Sequence, residues 1–316
     1  VAFMGFADWP NAGQKRAMPK TLLGGIVAVA AVVTVLGGVG ITGLMKVDKD
    51  RPVAVIAHRG ASGAAPENTL AAVVHAVEDQ ADWVEIDVQE TSDGAVVVVH
   101  DSDFMKVAGN PLKVWDASLA DLDAIDIGSW FDPAFASERT VTLEEVLLEA
   151  KDKSGVVIEL KYYGHDEDLE KRVIDIVEAA DMVEQVKIMS LKADAVAKMR
   201  ALRPNWNVGL LASASLGNMW DLDVDFLAVN SATMSRQLVR GSQDVGKEVY
   251  VWTVNDALSM SGMLSYGVDG LITDEPALAR QVLADRKTLT GVERLVLGLA
   301  GRIGLDVPHR GDEGVQ

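Results

Sequence analysis

From residue 53 onward, short runs rich in β-branched and other apolar residues recur, most with helical sequence nearby. VAVIA (53–57) precedes TLAAVVHAVED, WVEIDV (83–88) comes next, and VVIEL (156–160) precedes DLEKRVIDIVEAA. VKIMS (186–190) precedes ADAVAKMRAL, and NVGLL (207–211), FLAVN (226–230), VYVWT (249–253) and GLIT (270–273) continue the series. Runs with so little polar alternation fit strands covered on both faces, as in a parallel sheet. About eight βα units over residues 50–285 predict a closed (β/α)8 barrel, the TIM-barrel architecture, rather than an open doubly wound sheet.

One run falls outside that series. VVVVH (96–100) follows WVEIDVQETSDGA too closely for a crossover helix. Asp93-Gly94 is a two-residue hairpin signal. Such a turn would pair 90 with 97, 88 with 99, and Asp87 with His100. The next segment, about 101–139, lies between this hairpin and the run VVIEL. Its Trp115, Phe131 and Phe135, among many Asp residues, fit either a cap over the barrel mouth or a solvated excursion.

Upstream the texture differs. TLLGGIVAVAAVVTVLGGVGITGLM (21–45) carries no charged residue. About 20 apolar residues cross a bilayer core, so a transmembrane helix is predicted here. A signal peptide has a shorter apolar region and a small-residue cleavage site, and a core helix is rarely apolar all round. The glycines of the run fit close packing on another helix. Lys15, Arg16 and Lys20 before the run balance Lys46, Lys49 and Arg51 after it, so the positive-inside rule assigns no orientation. Residues 1–20 show no period and read as a loop or a fragment of an upstream region. The first residue, Val1, predicts a piece of a longer or processed protein. Within the tail 286–316, LTGVERLVLGLAGRIG (289–304) has an amphipathic helical pattern, suited to packing on the barrel or to lying on a membrane surface.

The net charge of −18 among 316 residues argues against nucleic-acid binding. An anionic substrate would need local cations or a metal. The absence of cysteine excludes disulfides, thiolate catalysis and Cys-zinc sites.

Active sites in such barrels lie at the C-terminal ends of the strands. There the predicted strands carry His58-Arg59, Glu85 and Asp87, Glu159 and Lys161, Trp252 and Asn255, and Thr273-Asp274, while the hairpin returns His100-Asp101. Each alone has a structural explanation: a loop histidine, or a salt bridge between an acid and Arg59 or Lys161. Jointly they point further, because burying three acids without a cation is costly. Three hard oxygen ligands suit Mg²⁺ or Ca²⁺. Arg59 and Lys161 suit phosphate oxygens, and a histidine pair suits general acid–base work. The combination reads as phosphodiester cleavage. His75, His165 and His309 are read as non-catalytic.

HRG followed by PENT, then E-I-D, T-S-D-G-x-V-V-V-V-H-D, E-L-K and V-W-T-V-N resemble the glycerophosphodiester phosphodiesterase family, in order, over about residues 53–285. The resemblance implies a (β/α)8 barrel with a small insertion at about 101–139 after the second strand's hairpin, and hydrolysis of glycerophosphodiesters to glycerol 3-phosphate and an alcohol with one divalent cation. It implies that His58 and His100 are the catalytic pair, and that Glu85, Asp87 and Glu159 bind the metal. Arg59 and Lys161 would hold the phosphate, Glu67 and Asn68 of PENT would shape the site, and Trp252 would line the glycerol pocket. KYYGHDEDLE (161–170) resembles the membrane-anchored subgroup, in which the barrel follows several transmembrane helices. That implies a cell-membrane protein with its barrel on the extracytoplasmic side. Two rivals remain at this point: a phospholipase-type enzyme acting on lipid-chained substrates, and a non-catalytic membrane-associated binding module. Oligomeric state is not legible.

Overall fold

The computed structural model describes residues 51–214 and 217–288. The predicted transmembrane segment at 21–45, the stretch 1–20 and the amphipathic tail segment 289–304 lie outside the described residues. Among the described residues no helix is long and apolar enough to cross a membrane.

Eight parallel strands close into a barrel. They are β1 (Ala54–Ala57), β2 (Trp83–Glu90), β6 (Gly155–Leu160), β7 (Val186–Ser190), β8 (Val208–Ala212), β9 (Phe226–Asn230), β10 (Glu248–Trp252) and β11 (Gly270–Thr273). Each pairs with the next, and β1 pairs with both β2 and β11, which completes the ring. The strands β3 (Val96–Val98), β4 (Asp103–Phe104) and β5 (Asn110–Lys113) belong to the hairpin and insertion. All eight predicted barrel strands are present.

Helices cover the outside, among them α1 (Leu70–Glu78), started by Thr69, whose hydroxyl accepts from Ala72 N. The link from β8 to β9 departs from the βα expectation: its described residues carry only a 3-10 turn, Met219–Asp221. The main apolar core lies between strands and helices, from Val55, Val84, Ile86 and Ile158 outward to Val146, Leu147, Val173 and Met260.

Strand periodicity of two sends alternate side chains into the barrel. The inward residues form two chemically different layers. Ile56, Val157, Met189, Phe226 and Tyr250 pack in the apolar lower part, with Trp83 against them. Three large rings fit there because the neighbouring strand offers glycine at the contact. A Cβ on Gly155 would enter the Trp83 ring, one on Gly209 the Phe226 ring, and one on Gly270 would press on Tyr250. Lys187 rises among these rings, its ammonium 4.8 Å from the Trp83 centroid and bonded to Glu248 (2.5 Å) and to the Tyr250 hydroxyl. Above this floor the same inward positions turn polar, and they hold the candidate site.

The hairpin corrects one expectation. Its ladder pairs Val88 with Val98, Gln89 with Val97 and Glu90 with Val96, one residue away from the predicted register. The loop is three residues long, not two. Gly94 takes φ +82°, and Thr91 closes the loop, its N donating to Ala95 O and its Oγ1 accepting from Ala95 N. A three-residue loop ending in a left-handed glycine is the next commonest hairpin solution. The residue opposite Asp87 is therefore Val99, whose N donates to Asp87 O, and His100 lies beyond the ladder.

The insertion builds its own small core from Phe104, Val114, Leu122, Ile125 and Ile127 against Val97 and Val99. It is thus a packed subdomain on the hairpin, with Trp115 stacked on His165 (4.1 Å) and Phe131 edge-on to Phe135.

Candidate active site

Strand β2 sends Glu85 and Asp87 inward, and its neighbour β6 sends Glu159, with Lys161 one residue past its end. Register places Asp87 beside Glu159, so the acids converge. Oxygens of Glu85, Asp87 and Glu159 lie within 4.8 Å of one another, and all three residues are buried. Lys161 Nζ reaches Glu159 (2.8 Å) and Asp87 (3.1 Å). Arg59 Nε approaches Asp87 at 3.4 Å, while its Nη1 donates to Glu67 (3.0 Å).

The electrostatics are uneven. Burial, reinforced by Asp87, pushes the Glu85 carboxyl up to about 7. Burial and the same neighbour push Glu159 up to about 8, with Lys161 opposing. Burial acts in the same sense on Asp87, but Lys161, Arg59 and His100 outweigh it and hold this carboxyl well below its usual range. A trio in which two members resist ionisation is a site that a hard divalent cation would complete.

The loop after β1 wraps this cluster. Arg59 N donates to Glu85 Oε2 (2.8 Å), and Arg59 O accepts from Asn68 N (2.9 Å). Both Arg59 (φ +52°) and Asn68 (φ +58°) are left-handed, a costly conformation for a non-glycine residue and one that clusters at functional sites. Asn68 grips Asp87 twice: its Nδ2 donates to Asp87 Oδ2 (2.9 Å), and its Oδ1 accepts from Asp87 N (3.2 Å). Glu67 links Arg59 to Lys106 of the insertion, 2.6 Å away.

The two histidines differ in surroundings. His58 Nδ1 donates to Asp274 Oδ1 (2.6 Å), and Asp274 is also held by Ser62 Oγ (2.8 Å) and Asn255 Nδ2 (2.5 Å). Burial disfavours the imidazolium of His58, yet Asp274 and Glu85 raise its pKa above the ordinary value. Burial lowers that of His100, and Lys161 and Arg59 act in the same direction. His100 Nδ1 faces Asp101 Oδ1 (2.7 Å).

Trp252 stands on the inward face at the end of β10, its indole N–H donating to Ala228 O (3.1 Å). His75 sits on α1 beside Glu78, and His165 is occupied by Trp115, so neither joins the cluster. His309 lies outside the described residues. Sequence reading noted Asp274 at its strand end but gave it no role. The link between Lys106 and Glu67 had no signal, since nothing in the spacing brings the insertion to the first loop.

The family model for the glycerophosphoryl diester phosphodiesterase family matches residues 58–278. A glycerophosphodiester phosphodiesterase of Caldanaerobacter subterraneus is 34% identical over 235 residues, covering 70% of this chain and 94% of that protein. A solved Oleispira antarctica phosphodiesterase in complex with the product sn-glycerol-3-phosphate is 28% identical, with a TM-score of 0.66, covering 73% of this chain and 96% of that one. With the closed barrel, the buried acid trio and this match over most of its length, the chain belongs to the glycerophosphoryl diester phosphodiesterase family and is a phosphodiesterase.

Proposed function

We propose that this enzyme cleaves glycerophosphodiesters to glycerol 3-phosphate and an alcohol, using His58 and His100 as its acid–base pair. The observation that carries the reading is the set of two histidines, Arg59 and Lys161 gathered around the buried Glu85, Asp87 and Glu159. Those three carboxylates would hold one divalent cation, Mg²⁺ or Ca²⁺. When bound, it supplies Lewis-acid polarisation of the phosphoryl group.

Arg59 and Lys161 orient the phosphate, the first as a planar fork and the second as a point charge. His100, disposed to be neutral, takes the proton from the attacking hydroxyl: water gives glycerol 3-phosphate directly, whereas attack by the glycerol hydroxyl expels the alcohol and leaves a cyclic glycerol phosphate that water then opens to glycerol 3-phosphate. His58 holds its Nδ1 proton on Asp274, which leaves Nε2 to carry the proton given to the departing alkoxide. Trp252 walls the glycerol side. The apolar run at 21–45 supports placement in the cell membrane, and the resemblance of KYYGHDEDLE to the membrane-anchored subgroup supports the extracytoplasmic side for the barrel.

The test is glycerol 3-phosphate release from glycerophosphocholine by the full chain, with EDTA, Mg²⁺ and Ca²⁺ compared. Metal-dependent release that falls by about 10²–10⁴-fold in both His58→Ala and His100→Ala is the expected result. Full activity in either variant would sink the histidine assignment.

A further inference from the structure

His100 presents a mechanical problem. The β2–β3 ladder ends at Val98, Val99 adds one last backbone bond to Asp87, and the backbone beyond it is irregular. A proton-transferring group must nevertheless be held within hydrogen-bond reach of its target, and a 1 Å misplacement costs about 10²-fold. Something other than the sheet has to fix the residue.

Gln89 occupies the required position. It follows Asp87 by two residues on β2, so it shares the face that carries Glu85 and Asp87. It is buried. Its side-chain nitrogen faces three successive carbonyls, donating to Val99 O (3.0 Å), His100 O (3.2 Å) and Asp101 O (2.7 Å). An amide nitrogen has two hydrogens, so the three acceptors share them, and the chain must curl around the amide to do so. A second donor reaches the middle carbonyl: Tyr163 Oη donates to His100 O at 2.8 Å. Tyr163 follows Lys161 by two residues, just past β6.

The His100 peptide is therefore tied to both strands that bear the acids, to β2 through Gln89 and to β6 through Tyr163. We infer that Gln89, seconded by Tyr163, is the positioning residue for His100, setting its distance from the acid cluster. This rests on the acid–base reading of His100 given above. It also accounts for one residue of the KYYGHDEDLE motif that the chemistry leaves unused.

Gln89→Met keeps length and approximate volume and removes both hydrogens. In the full chain its kcat is expected to fall about 10²-fold, with KM, metal affinity by titration calorimetry and circular dichroism unchanged. Tyr163→Phe, which removes one donor of two, is expected to give a smaller fall of the same kind. The discriminating measurement is the double variant. Placed in the His100→Ala background, Gln89→Met should cost nothing further, because its effect runs through His100. Should Gln89→Met fail to fold, Gln89→Leu, which likewise has no donor, takes its place. Wild-type kcat in the single variant, or an equal further loss in the double variant, overturns the inference. An inactive wild type, or an active His100→Ala, would instead overturn the functional reading on which it rests.

Discussion

His58 and Asp274 are separated by 216 positions in the chain, yet His58 Nδ1 and Asp274 Oδ1 are 2.6 Å apart. The contact exists because the barrel closes: β1 pairs with β11, and the two residues follow those strands at the same end. Asp274 is in turn held by Ser62 from the first loop and by Asn255 from the loop after β10. The carboxylate fixes the tautomer of His58 and favours its charged form. Burial opposes ionisation of Asp274, but His58, Ser62 and Asn255 bring its own pKa down to about 2.

Replacing Asp274 with Ala is expected to lower kcat by about 10²-fold, the scale of one acid–base contribution. The direction in pH also follows. Asp274 raises the pKa of His58, so its loss lowers that value, and the alkaline limb of the kcat/KM profile should move to lower pH. A pH–rate profile of Asp274→Ala with an unmoved alkaline limb would remove His58 from the role of acid.

If His58 protonates the leaving alkoxide, a substrate that needs no such help should bypass it. With a p-nitrophenyl ester of glycerol phosphate, His58→Ala is expected to recover a large part of the about 10²–10⁴-fold loss seen with glycerophosphocholine, and His100→Ala is not. Comparison of the two substrates on the two variants checks this. Rescue of His100→Ala instead would exchange the two roles.

Metal binding should release protons. In the metal-free protein Glu85 and Glu159 lie at about 7 and about 8, above the ordinary 4.5. Raised carboxyls favour the folded state below the ordinary value, and that contribution is lost as pH rises through the folded values. The metal-free protein is therefore expected to lose stability progressively as pH rises from about 4.5 to about 8, and a bound divalent cation to restore it. The rise in Tm on adding Mg²⁺ or Ca²⁺ should be small near about pH 5.5 and large near about pH 8.5. Thermal melts with and without EDTA at both values measure it, and an equal rise at both would contradict the burial argument.

Asn68 combines a left-handed backbone with a two-point grip on Asp87. Asn68→Ala loses both bonds and adds strain, and it should weaken metal affinity by about 10–100-fold, as loss of an outer support of a ligand does. Titration calorimetry with the divalent cation reads the change directly.

The barrel floor offers a test independent of chemistry. Gly209→Ala drives a methyl into the Phe226 ring. Overpacking of this kind is expected to cost about 1–3 kcal/mol, read as a lower midpoint in urea with metal affinity per folded molecule unchanged.

The eight barrel strands were legible because a strand buried on both faces is a nearly continuous apolar run, and this chain writes them so between VAVIA and GLIT, broken mainly at inward positions such as Glu85, Asp87, Glu159 and Lys187. Glu85 with Asp87, and Glu159 with Lys161, were legible for a related reason: a period of two puts each pair on one face, and barrel chemistry lies at the strand ends. The hairpin register was not. Asp93-Gly94 permits a two- or a three-residue loop, and only the Thr91–Ala95 closure and the packing of Val97 and Val99 on the insertion select the longer one. Nor were the contacts of His58 with Asp274 or of Lys106 with Glu67. Those pairs meet through ring closure and through docking of the insertion, and distance along a chain carries no record of either. The sequence by itself determined which residues are inward-facing and chargeable, since that is local periodicity. Tertiary structure alone decided which of them touch, and therefore which carboxylates resist ionisation and which histidine is disposed to hold its proton.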